Sequence, residues 1–134
     1  VRRFESHKAD GRERIQELFT KTFPRFRQFE PHMRAALQLS LEHWALERSG
    51  LMNEEPYRRG HRVAILNRVA APLESRMRES EFRRLLCGLS MVFGIEPYVV
   101  LKDIWGCSDR EVQATARWMA DAMIDAALKE RSAR

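Results

Sequence analysis

The sequence predicts an all-α domain, a bundle of five or six helices spanning residues 1–134. Three observations carry that expectation. Apolar residues recur at steps of three and four along nearly the whole chain, while period-two alternation is almost absent. Helix starts (Asp10 with Glu13, Ser108 with Glu111) and stops (Gly50, Gly106) punctuate the pattern. With 134 residues, 44% hydrophobic and 32% charged, the chain is long and apolar enough to bury a core without staples, and disordered or collagen-like classes drop out.

The elements follow in order. Asp10 caps a first helix whose face is Ile15, Leu18, Phe19 and Thr22, and Pro24 is expected to end it. Pro24 to Phe29 then forms a connector anchored by Phe26 and Phe29. A second helix opens at Glu30-Pro31, where proline suits the first turn because its missing N–H would be unpaired there anyway. Met33, Leu37, Leu41, Trp44 and Ala45, flanked by Leu39 and Leu46, predict burial on two sides. A third helix from about Glu55 to Met77 carries Val63, Leu66, Ala70, Leu73 and Met77, with a kink expected near residue 68 from Pro72. From Ser80 to Trp105, Phe82, Leu86, Leu89, Phe93, Pro97, Val100 and Ile104 hold one helical phase, which favours a single helix kinked at Pro97. The alternative is a break at Gly94 to Pro97, with Glu96 capping a new start. The last helix begins at the Ser108–Glu111 capping box and carries Val112, Ala116, Met119, Met123 and Ala126, with Trp118 and Ala122 beside them.

Catalytic signatures are missing. The glycines are isolated, so no phosphate-binding loop exists, and His7, His32, His43 and His61 never pair at ligand spacing. No metal and no cofactor is implied, although a set assembled across helices, for instance His43, His61 and Glu96, is conceivable. Cys87 reads as a small buried hydrophobe, while Cys107, just before a helix start, sits where a thiolate is favoured. Two cysteines so far apart make neither a disulfide framework nor a zinc motif, and a reducing cytoplasm suits them best. Leu85 to Gly94 is about half a membrane span, so no membrane is expected as a partner. The net charge of +5 is densest at Arg58-Arg59-Gly60-His61-Arg62 but is interleaved with acids, as on a solvated surface. Glu96 stands out within the apolar run Met91 to Leu101. It is expected to pair with an arginine or cap backbone near Pro97, or else to orient a ligand.

From Glu81 to Leu128 the phrases Glu81-Phe82-Arg83-Arg84-Leu85-Leu86, Gly94-Ile95-Glu96 and Val100-Leu101-Lys102-Asp103-Ile104-Trp105-Gly106 precede a capped helix bearing Arg117-Trp118 and an alanine-rich end. Upstream stand Leu37-Gln38-Leu39-Ser40-Leu41-Glu42-His43-Trp44, Arg58-Arg59-Gly60-His61-Arg62 and Ala71-Pro72-Leu73. Together, over residues 10–130, they resemble the C-terminal domain of TetR/AcrR-type transcriptional regulators. The resemblance implies a bacterial one-component regulator of repressor type, with a domain that binds a small apolar or amphipathic effector and forms a homodimer. The last two helices, Ser80–Trp105 and Ser108–Glu130, would then build a four-helix dimer interface through Phe82, Leu86, Leu89, Phe93, Trp118, Met119, Met123 and Ala126. The effector cavity would draw on Phe29, Met33, Leu37, His43, Trp44, Leu66, Glu96 and Tyr98. The helix-turn-helix that contacts operator DNA in that family is absent from this sequence, and Val1 in place of Met suggests a piece of a longer protein. Two other classes compete: a free-standing helical protein–protein interaction module, and a small enzyme using Glu96 or a histidine as base.

Overall fold

The computed structural model describes residues 4–49 and 61–132, and every described element is helical. Helix α1 (Gly11–Gln28) starts as expected, with Asp10 accepting the Glu13 N–H at 3.2 Å. It does not stop at Pro24. Thr20, whose carbonyl the proline deprives of its helical donor, is exposed beside the equally exposed Pro24, so the freed group lies on a face open to water. Burial of Phe23 and half-burial of Phe26 keep the next turn in register.

Helix α2 (Glu30–Ser49) begins where proline placed it. The expected burial on two sides is not there: from residue 30 to 45 no side chain is buried, Met33 and Leu37 are half-buried, and Leu39, Leu41 and Trp44 are exposed. In the third region α3 (His61–Val69) and α4 (Ala71–Glu74) are separate helices rather than one kinked rod. Pro72 sits in the first turn of α4, which is why the chain breaks at Ala70. Residues 50–60, with the Gly50 stop, the basic stretch at Arg58-Arg59-Gly60 and the start from Glu55, lie outside the described residues.

The continuous helix across Pro97 is likewise replaced by two, α5 (Glu79–Val92) and α6 (Glu96–Asp103), bent by 50°. Gly94 makes the break, with φ of +125°, and Pro97 lies in the first turn of α6. Helix α7 (Asp109–Ser132) opens with both halves of its capping box: Glu111 N–H to Ser108 Oγ and Ser108 N–H to Glu111 Oε1, each at 3.1 Å.

Four helices form a closed ring: α1 packs on α3 and α7, and α5 packs on those same two. Ile15, Leu18, Phe19, Leu66, Val69, Leu85, Leu89, Val112, Ala116, Ala120 and Ile124 fill its interior. The buried stripe of α7 is therefore Val112, Ala116, Ala120, Ile124 and Ala127, one residue off the expected line through Met119, Met123 and Ala126. Small residues there let α1 and α5 approach closely; at Gly88 of α5 a Cβ would come within 2.7 Å of Met123 Sδ. At one end Phe19, Phe23, Phe26, Phe93 and Tyr98 form an aromatic cluster, with the Tyr98 hydroxyl donating to the Phe23 carbonyl at 3.1 Å. Among the described residues no single helix is long and apolar enough to cross a membrane.

Candidate ligand groove

Helix α4 and the turn after it carry the chain back so that α5 lies along α3, and between these two helices a groove of about 800 Å³ opens to the surface. Its apolar lining is Val63, Leu66, Phe82 and Leu86, and its rim carries Arg78, Glu79, Ser80 and Arg83 at one end and Cys87 and Ser90 toward the other. The size falls in the range of small-molecule sites, roughly 300–1,000 Å³. An apolar floor with polar groups on the rim suits an amphipathic guest.

Arg62 closes the region beyond Ser90. Its guanidinium donates to both Glu96 carboxylate oxygens, one at 2.9 Å, and to the Ser90 carbonyl at 3.0 Å. Gly94 makes room for it, since a Cβ there would meet the guanidinium nitrogen at 2.6 Å. Glu96 thus takes the arginine pairing that was the plainer expectation, and this ion pair ties α3 to α6 across the α5–α6 break.

Of the residues expected to hold an effector, only Leu66 lines this groove. Phe29 is 48% exposed at the α1–α2 junction; Met33, Leu37, His43 and Trp44 are spread along α2; Tyr98 is sealed in the aromatic cluster. None of them joins Leu66 in the lining of this groove. The expected dimer residues divide as well. Phe82, Leu89 and Phe93 lie in the subunit's own core, because their stripe faces the ring interior. Leu86, Met119 and Met123 are half-buried, whereas Trp118, at 70% exposure, and Ala126 face solvent. Cys87, expected inside, is exposed on the groove wall. Sequence reasoning missed Val63 as a lining residue, together with Arg78, Arg83 and Ser90. No local signal marks them, since the groove arises only when α3 and α5 meet.

A second polar cluster joins α2 to α6 and α7. Arg34 of α2 forks onto Asp103 of α6 at 2.8 and 2.9 Å and also reaches Glu30 at 2.9 Å. Lys102 bridges Glu30 at 2.8 Å and Asp109 of α7 at 3.1 Å, and Arg27 of α1 reaches Asp109 at 3.5 Å. Arg34 holds the Asp103 carboxyl below its usual range. Burial pushes Glu30 upward, but hydrogen bonds from Lys102 and Arg34 outweigh it and leave the group lowered. Lys102 is raised by Glu30 and then Asp109. Burial, with Asp109 and Glu30 nearby, pushes the Tyr98 phenol up to about 12. Among the described residues no three His, Cys, Asp or Glu side chains gather as a metal set. Comparison with protein families, curated proteins and solved structures finds no match.

Proposed function

We propose that this chain is the ligand-sensing and dimerising domain of a bacterial one-component transcriptional regulator of repressor type, with operator DNA contacted by a separate helix-turn-helix unit. The observation that carries the reading is the α3–α5 groove, an apolar trough of about 800 Å³ with a polar rim. It moves the effector site from the residues around Trp44 to Val63, Leu66, Phe82 and Leu86. An amphipathic ligand seated there favours one packing of α3 against α5. Helix α5 packs directly on α7, so that change reaches the solvent-facing side of α7, where Trp118, Ala122 and Ala126 support a homodimer. Respacing two subunits alters the separation of their DNA-binding units and hence operator affinity.

Thermal unfolding in the presence of a panel of amphipathic compounds tests the groove. Ligands at about a hundredfold their Kd are expected to raise the midpoint by roughly 10 °C. Cys87→Trp, which fills the groove from an exposed wall position, is expected to cancel the rise. No shift across the panel, or shifts indifferent to Cys87→Trp, overturns the assignment.

The exposure of Leu39, Leu41 and Trp44 on α2 favours a second reading, a helical protein–protein interaction module. In that case a partner protein protects α2, the groove substitution has no effect on binding, and the chain sediments as a monomer.

A further inference from the structure

Helix α3 is one wall of the groove, through Val63, Leu66 and Asn67, and its two ends are fastened differently. At its start Arg62 donates to the Ser90 carbonyl of α5 and to the Glu96 carboxylate of α6, which ties that end to the opposite wall. At its other end the helical ladder is incomplete. The Arg68 carbonyl would ordinarily accept from the residue four positions on, but that residue is Pro72, which has no N–H. Arg14 of α1 supplies the donor instead, Nη2 to the Arg68 carbonyl at 2.7 Å. The Arg14 Nε is buried without an acceptor, so this cap is one bond. The Arg68 guanidinium in turn donates to the Phe4 carbonyl at 2.7 Å. The segment before α1 is thus held to the groove wall at the residue next to Asn67.

We propose that residues 4–9 are a strap latched to α3 by Arg68, and that filling the α3–α5 groove releases the strap.

The inference rests on the groove being a ligand site, and it follows from where α3 can give. A guest between α3 and α5 pushes the two walls apart. Arg62 holds them together at one end through a charged fork, which is the stronger kind of hydrogen bond. The displacement therefore falls toward Arg68, where the Arg14 cap is one bond and the Phe4 contact is to a neutral carbonyl. Burial of Val69 and Ala70 keeps the shift small. A small one suffices, since about 1 Å takes a 2.7 Å bond past hydrogen-bonding distance. The Ser6 hydroxyl bonds Glu17 of α1 at 3.0 Å and does not follow α3, so release begins at the Phe4 end. By reciprocity, cutting the latch eases entry to the groove.

A nitroxide at Glu5→Cys, in a Cys107→Ala background of the whole chain, reports strap mobility. With Cys87→Ser the groove is open and a restricted spectrum is expected. With Cys87→Trp the indole fills the groove, and the label is expected to tumble several-fold faster. Arg68→Met cuts the latch and is expected to give the mobile spectrum with the groove open. Asn67→Trp fills the groove from the α3 wall and takes the place of Cys87→Trp should that chain not fold. A label at Ala114→Cys on α7 is expected to read alike in every chain, as the check on folding. A strap equally restricted in open and filled grooves, mobile with the groove open and Arg68 intact, or unmoved by Arg68→Met overturns the proposal. Compounds that raise the unfolding midpoint without freeing the strap sink the latch and leave the groove reading standing. A strap freed by the indole while no compound binds keeps the latch and sinks that reading.

Discussion

Helices α7 and α2 are the two longest among the described residues, at 24 and 20 residues, and both carry apolar residues at steps of three and four. They have opposite fates. Helix α7 lies between α1 and α5 and buries a stripe made mostly of alanine with Val112 and Ile124. Helix α2 has larger apolar side chains, including Leu41 and Trp44, and leaves them in water. Apolar payload therefore does not decide which helix is core; having neighbours on two sides does. Alanine serves α7 because close approach of backbones brings more atoms into contact than bulk on an unmatched face.

The widest gap between the two helices is expected in their response to truncation. Ile124→Ala removes a fully buried side chain from the ring and is expected to cost about 2–5 kcal/mol. Leu41→Ala removes a larger exposed surface than Ile124 shows, yet is expected to change stability by no more than about 0.5 kcal/mol. Urea unfolding of both variants checks this. A Leu41→Ala loss approaching that of Ile124→Ala would mean that α2 is buried in solution, and the contrast would be gone.

A smaller effect sharpens the same comparison at the start of α7. Ser108→Ala leaves the Glu111 N–H without its 3.1 Å acceptor and is expected to cost about 1 kcal/mol. Because α7 touches three other helices, that loss should appear in global unfolding rather than as local fraying. Amide exchange through α5 is the readout.

What was legible beforehand follows the range of the physics. The caps at Asp10 and Ser108 and the start at Glu30-Pro31 are local: a side chain meets a backbone N–H three residues away, and sequence spacing states it. The failures are of two kinds. Sequence alone makes Pro24 a stop and Pro97 a mid-helix kink, but proline's effect depends on its setting. On the exposed side of α1 the orphaned carbonyl is open to water, so the helix can run on. At Pro97 the positive φ of Gly94 had already ended the preceding helix, leaving proline in a first turn. The second kind is the apolar stripe. Phe82, Leu89 and Phe93 are apolar for the reason given, but a stripe says which face seeks cover and not what supplies it; here it is the subunit's own ring. The groove between Val63 and Leu86 is further out of reach, since its two walls meet only through tertiary packing. Glu96 was the exception. A carboxylate in so apolar a run needed a cation, and Arg62 provides it.

The smallest expected effect isolates how α2 is held. Glu30 and Asp103 are both lowered in the folded chain, so their contribution is complete above the unfolded carboxylate values, about 4.3 and 3.9, and is lost as pH falls through the lower folded ones. The Arg34–Asp103 and Lys102–Glu30 pairs are therefore unaffected by carboxyl titration between about pH 5 and 8 and are lost only in acid. Carboxyl carbon titration by NMR is expected to place the Asp103 midpoint below its ordinary 3.8, returning toward it in Arg34→Gln. An Asp103 midpoint unmoved by Arg34→Gln would show that the fork is not populated in water, and α2 would then differ from α7 by having no fixed place at all rather than an electrostatic one.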